Sequence, residues 1–228
     1  MGSSVPEVVP TLIADQVFEV LREKILTGEL EAGSPLRVRP LAKMVGTSVM
    51  PVRDAIRRLE DMRLVTSFPH RGAVVRQFTT SELMHIYDVR GILEVEAAAM
   101  GARGVTESDI EVMGAAADRM EQAVARRDAN EALDEDEIIH RVLYAASNNP
   151  VLVEIIEKLW LQCRPYKYMG AVEAMGQGDM SLWTSQREII QAVSSRKPLA
   201  TASLIDRSLT SARRRLEERL QRERAQAV

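Results

Sequence analysis

Residues 36–75 read LRVRPLAKMVGTSVMPVRDAIRRLEDMRLVTSFPHRGAVV, and this stretch decides the fold. Leu36, Leu41, Ala42 and Val45 form a short apolar-faced segment, a turn follows at Gly46-Thr47, and a second segment opens at Ser48. In the second segment Val52, Ala55, Ile56, Leu59 and Met62 recur at three- and four-residue steps, the spacing that lines one face of a helix. Ser48 is placed to act as an N-cap, and Pro51 falls in the first turn, where its missing N–H costs little. Two helices joined by a tight glycine-containing turn predict a helix-turn-helix. Leu64–Phe68 and Ala73–Val75 are short β-like runs joined across Pro69-His70-Arg71-Gly72, so a small hairpin, a wing, is predicted after the second helix.

Charge agrees with this reading. From Arg37 to Arg76 nine Lys/Arg stand against three acids, whereas the whole chain of 228 residues carries −3. A basic patch on an otherwise acidic protein is the footprint of phosphate contact, because neutralising phosphates releases counterions. The plainer alternative is a solvated helix face laced with pairs such as Arg57 with Asp61. Turn, caps, wing and charge bias together favour nucleic acid. Arg37, Arg39, Thr47, Ser48, Arg53, Arg57, His70, Arg71 and Gly72 are the candidate DNA contacts.

The same residues resemble the N-terminal domain of the GntR family of bacterial transcription regulators. The resemblance is carried by Gly28-x-Leu30-x-x-Gly33-x-x-Leu36, Leu41-Ala42, the run from Pro51 to Glu60, Leu64-Val65 and Arg71-Gly72. It implies DNA contacts from an Arg before the Leu-Ala pair, matched by Arg39, from an Arg early in the recognition helix, matched by Arg53, and from the wing at His70, Arg71 and Gly72. The chain departs from the family at Val38, usually Glu, and at Val49, usually Arg. Losing an Arg that can fork onto guanine O6/N7 changes the operator that is read.

Working outward, residues 1–10 read as a flexible arm and residues 11–76 as the winged helix-turn-helix domain, whose first helix turns Ile13, Val17, Val20, Leu21 and Ile25 inward. Residues 77–80 are a short linker. Residues 81–228 show only helical patterns, six in number, with a loop expected from Gly170 to Gly178. The fold class is therefore mostly α: a winged helix-turn-helix followed by an all-α bundle. Thr79-x-x-Glu82 fits a capping box, Thr106-x-x-Asp109 is cap-like, and Asn149-Pro150 offers a cap followed by proline at the first helical position.

Other classes are set aside by composition. The single cysteine, Cys163, excludes an internal disulfide, and a reducing cytoplasm is the expected home. No apolar run reaches the length of a membrane span. The N-terminus lacks the charged and apolar regions of a secretory signal, and Pro6 stands where a myristoylation motif needs Ser or Thr.

The helical part resembles the FCD effector-binding domain of the FadR-type GntR subgroup. Tyr87-x-x-Arg90-x-x-Leu93-Glu94, Asp136-x-x-x-His140, Asn149-Pro150 and Ile189-x-x-Ala192-Val193 carry the resemblance. It implies a bundle with a central polar cavity for a small organic acid and, in many members, a divalent metal. Asp136 and His140 lie one helical turn apart, on a stripe with Leu133, Leu143 and Ser147. They supply either half of a metal site or an Asp that merely orients a buried His. In metal-binding relatives two further His ligands complete the set; the aligned positions here are Gln186 and Ser208. Without a metal, Asp136, His140, Gln186 and Ser208 form a hydrogen-bonding cavity. Arg90 has two possible partners, an effector carboxylate or a neighbouring acid such as Asp88 or Glu94. Arg213-Arg214-Arg215 reads as an exposed helix end.

The expected function is sequence-specific transcription regulation, with repression the usual family outcome, by a homodimer on a DNA operator. A small-molecule effector, a carboxylate, tunes affinity, and a divalent metal is the one candidate cofactor. The alternatives are a metal-dependent enzyme in the bundle, which leaves the winged domain unexplained, and a DNA-binding protein with no effector sensing.

Overall fold

The computed structural model describes residues 10–69 and 72–226. The expected arm lies almost entirely outside the described residues, as do His70 and Arg71. The chain divides into two compact units, one ending at Gln77 and the other beginning at Phe78.

The first unit runs α1 (Pro10–Leu26), β1 (Pro35–Leu36), α2 (Val38–Met44), α3 (Val49–Asp61), β2 (Val65–Phe68) and β3 (Gly72–Val75). The turn between α2 and α3 needs Gly46, whose φ of +68° suits a residue without a Cβ. The strands form an antiparallel sheet in the order β1-β3-β2, with Val65 opposite Val75 and Phe68 opposite Gly72. Leu36 therefore pairs in a strand, opposite Ala73, rather than joining the helix that follows. A two-residue strand has no periodicity to read, so sequence alone could not separate it from α2.

Val17, Phe18, Leu21 and Ile25 bury the inner face of α1 against Val52, Ala55, Ile56 and Leu59 of α3. The stripe is rotated from the expected one. Phe18 is buried at 3% exposure while Val20 is left at 39%. Covering the larger ring removes more apolar area from water, and Leu21 and Leu59, both fully buried, each contribute about 1.5–3 kcal/mol. Met62 also turns outward, because it is the C-cap of α3 rather than part of its apolar stripe.

The second unit is helical: α4 (Thr80–Gly104), α5 (Glu107–Arg126), α6 (Ala129–Ala145), α7 (Pro150–Gln177), a 3-10 turn at Ser181–Trp183, α8 (Gln186–Ser194) and α9 (Pro198–Gln226). Thr79 with Glu82 and Thr106 with Asp109 form full capping boxes, and the Asn149 side chain accepts from the Leu152 N–H ahead of Pro150. α4 packs on α6, α7 and α9, while α5 packs on α6 and α8. Small residues at the contacts, Ala97, Ala98, Ala102, Ala116 and Ala117, are fully buried and let the helices approach closely. Phe78 is not a free linker residue: it is buried in a satellite cluster with Leu83, Met84, Tyr87, Cys163 and Leu216, and its N–H donates to the Tyr166 hydroxyl at 2.9 Å.

The expected loop from Gly170 to Gly178 is helix for most of its length. α7 continues through Pro165, Gly170 and Gly176 and ends at Gly178, which caps it in the left-handed region at φ +72°. Ala171, Ala174 and Met175 are buried, and that tertiary burial outweighs the helix-weakening glycines. Among the described residues no helix is long and apolar enough to cross a membrane.

Candidate functional sites: a basic helix face and a polar cavity

In the first unit, the core face of α3 fixes what its opposite face presents. With Val52, Ala55, Ile56 and Leu59 buried, Met50, Arg53 and Arg57 are exposed, Met50 at 71%. Arg53 and Arg57 are one turn apart and project from the same face. Arg57 donates to Asp54 at 3.1 Å, not to Asp61 as the sequence suggested; this exposed pair leaves the guanidinium reachable. Arg37, Arg39 and Arg53 are exposed and form no ion pair among the described residues. Arg58 behaves differently. It donates to Asp15 at 2.6 Å and lies 4.0 Å over the Phe18 ring, so it fastens α3 to α1.

Ser48 occupies the N-cap position with extended backbone, but its side chain makes no capping hydrogen bond. That corrects the expected cap. The exposed hydroxyl and the uncapped first N–H groups of α3 remain available to an anion, and half-buried Thr47 precedes them. The wing is tied to α3 by Glu60, whose two oxygens accept from the Ser67 N–H (2.9 Å) and hydroxyl (2.6 Å). These bonds hold the Glu60 carboxyl below its ordinary pKa. Gly72 is exposed where β3 begins, at φ +81°.

In the second unit α4, α6, α7, α8 and α9 enclose a cavity of about 290 Å³. Arg90, Asp136, His140, Gln186 and Ser208, all singled out by sequence, line it together. One wall is a buried network centred on Glu94, which accepts from Arg90 Nε (2.6 Å), Trp160 Nε1 (2.9 Å) and the Tyr144 hydroxyl (3.1 Å). Arg90 is thus paired with Glu94; Asp88 pairs instead with Arg213. Arg90 also lies 4.7 Å from the centre of the Tyr87 ring, and burial pushes the Tyr87 phenol up to about 12, so it stays neutral.

A second wall centres on Asp136. Its Oδ1 accepts from Gln186 Nε2 at 2.8 Å, and its Oδ2 lies 3.6 Å from the Lys167 ammonium. His140 Nδ1 is 2.7 Å from the Asp136 backbone oxygen and 3.5 Å from Oδ1. Burial alone would raise the Asp136 pKa, but His140, Lys167 and the Gln186 amide outweigh it and leave the carboxyl below its ordinary value.

These residues do not fit a divalent metal. Such an ion needs three or four good donors, and no group of three His, Cys, Asp or Glu side chains is suitably placed among the described residues. The position aligned with one expected ligand holds Gln186, whose N–H₂ already faces Asp136, and Lys167 places a fixed positive charge beside the same carboxylate. His140 is held by the Asp136 main-chain oxygen, while the Asp136 carboxylate is held by Gln186 and Lys167.

Sequence reasoning missed Lys167, Glu94 and Arg215 as wall residues, and Trp183 joins them. Glu94 was legible as an i,i+4 partner of Arg90. Lys167 precedes the loop expected at Gly170 and reads as helix, but spacing alone does not show which way its side chain turns. Arg215 was expected on an exposed helix end; it is half-buried, donates to Ser211 at 2.7 Å and lines the cavity. Arg164, also buried, is held by Asp134 and Glu137 at 2.7 and 2.9 Å.

Residues 13–75 match the bacterial regulatory proteins, gntR family, and residues 85–225 match the FCD domain. The chain is 28% identical over 150 residues to the HTH-type transcriptional regulator McbR of Escherichia coli K12, covering 66% of this chain and 68% of that one. It is 28% identical over 191 residues to the probable D-xylose utilization operon transcriptional repressor of Paenarthrobacter nicotinovorans, covering 82% and 81%. The solved E. coli McbR/YncC structure superposes with a TM-score of 0.79 at 22% identity over 91% of this chain and 98% of that one, which shows a shared fold. The helix-turn-helix with its wing, the helical bundle and these two adjoining matches place the chain in the GntR family of bacterial transcription regulators, in the FadR-type group that carries an FCD domain.

Proposed function

We propose that this protein is an operator-binding repressor whose affinity for DNA is set by a small organic acid held in the bundle cavity. The observation that carries the DNA half is the exposed Arg53–Arg57 face of α3, directly opposite its buried stripe. A helix presenting two arginines one turn apart suits the major groove, where Arg reads guanine bidentately. Arg37, Arg39, Ser48 and the wing at His70–Gly72 supply phosphate and groove contacts around it. The protein acts as a cytoplasmic homodimer, since a two-fold pair of recognition helices matches a palindromic operator. The P. nicotinovorans relative is named a repressor, which supports the sign of regulation.

The sensing half rests on the cavity, which gathers Arg90, Asp136, His140, Gln186 and Ser208 within one helical bundle. An acid with unequal affinity for the DNA-competent and DNA-incompetent states shifts operator affinity by that difference, about 1–3 kcal/mol in comparable couplings. Native mass spectrometry combined with elemental analysis of the purified protein tests this half. A retained organic acid without stoichiometric metal is expected. Operator affinity that no acid alters would favour a plain DNA-binding protein.

A further inference from the structure

Met50, the second residue of α3, is an apolar side chain left 71% exposed. The buried stripe of α3 begins only at Val52, so the core makes no use of Met50. A single exposed apolar side chain is ordinary on a protein surface. The place of this one is not. Arg53 and Arg57 follow it at three- and seven-residue steps, which puts all three on one side of the helix, opposite Val52, Ala55, Ile56 and Leu59. Met50 also stands in the first turn, where Ser48 makes no side-chain cap bond.

In a helix-turn-helix the first residues of the second helix meet base edges, and phosphates are met around them. A thioether has nothing to offer a phosphate: it carries no charge and no N–H or O–H to donate. Against the polar groups of a base edge it is at best a weak acceptor. One feature of the major groove is apolar, the C5-methyl group of thymine. Methionine suits that target, because its unbranched, adjustable chain fills small apolar gaps without a fixed approach angle. Val49, half-buried before it, brings no polar side-chain group to compete. Arg53 then supplies the polar reading, guanine O6 and N7. Along the helix axis Met50 precedes Arg53 by about 4.5 Å. That is little more than the rise of one base pair, about 3.4 Å.

We infer that Met50 is a specificity-determining residue that reads the methyl group of a thymine in each half of the operator, within about two base pairs of the guanine met by Arg53. This rests on the reading of α3 as the DNA-recognition helix.

The test uses the full chain and the duplex that it selects from a random pool. Each thymine is replaced in turn by deoxyuridine, which lacks only the methyl group, and affinity is measured by fluorescence anisotropy. The guanine is located as the position at which Arg53→Ala no longer discriminates. One thymine per half-site near that guanine is expected to respond, its replacement weakening binding about fourfold, the worth of one methyl group removed from water. The dependence of affinity on salt is expected to stay the same, because no phosphate contact is lost. Met50→Ser is expected to bind the thymine and deoxyuridine duplexes alike. The wild-type deoxyuridine series decides the matter even if that variant fails to fold. Deoxyuridine without effect at every thymine within that distance, or an effect undiminished in Met50→Ser, overturns the inference and leaves α3 as the reading helix. A pool that yields no preferred duplex overturns both.

Discussion

Glu94→Gln removes the negative charge at the centre of the buried wall while preserving side-chain shape. The carboxylate faces Arg90 at 2.6 Å, with Arg90 4% and Glu94 2% exposed. Breaking one side of a pair this deeply buried leaves an uncompensated cation and costs about 3–5 kcal/mol. The amide oxygen can still accept from Trp160 or Tyr144, so the neutral hydrogen bonds add little further loss. For a bundle of this size the cost corresponds to a drop in melting temperature of roughly 10 °C. The assay is urea or thermal unfolding followed by tryptophan emission. Both tryptophans, Trp160 and Trp183, lie in the bundle, so the signal reads that unit and not the winged one. The double variant Arg90→Met/Glu94→Gln is expected to be less destabilised than the sum of the single changes, with a coupling of about 1 kcal/mol or more. A Glu94→Gln protein within about 0.5 kcal/mol of the parent would refute the reasoning and show that Arg90 does not depend on Glu94.

Further outcomes follow from single contacts. Gly101→Ala would place a Cβ 1.9 Å from the Leu143 carbonyl oxygen, which belongs to backbone, so α4 and α6 must separate; a loss of at least about 1–3 kcal/mol is expected in the same emission assay. Arg53→Ala is expected to weaken operator binding by about 1–3 kcal/mol without lowering stability, measured by fluorescence anisotropy at fixed salt. Arg58→Ala is expected to do the reverse: it loses Asp15 and the Phe18 ring, so the winged unit loses about 1 kcal/mol in hydrogen-exchange protection. Asp136 has a folded pKa below its ordinary value, so its contribution to stability is full above the ordinary carboxylate range and is lost as pH falls through the depressed value. Asp136→Asn is therefore expected to flatten the acid side of the urea-midpoint profile.

Local pattern made much of this architecture legible. The apolar spacing from Val52 to Leu59, the capping boxes at Thr79 and Thr106 and the Asn149-Pro150 start are each written within a few residues. What sequence could not supply was decided by tertiary burial. Phe18 displaced Val20 in the core because packing against α3 rewards the larger ring, and α7 ran on through Gly170 because its last turns are covered. In the cavity, Asp136, His140, Gln186 and Ser208 were found through helix spacing and family resemblance. Lys167 and Arg215 were missed because the side a long helix turns inward depends on where it begins and ends. Ser48 shows the opposite limit: a residue type suited to capping occupies the right position and makes no cap bond.

The central claim is that Arg53 and its neighbours read a defined DNA sequence. The most direct measurement selects a binding site from a random duplex pool with the full chain, then compares its affinity with that of a scrambled duplex across a salt series. The account expects a two-fold symmetric site bound about 10³-fold or more tightly than the scrambled one, with Arg53→Ala lowering that ratio. Equal affinity for both duplexes, falling with salt in parallel, would show that the basic face contacts phosphate alone and would contradict the account.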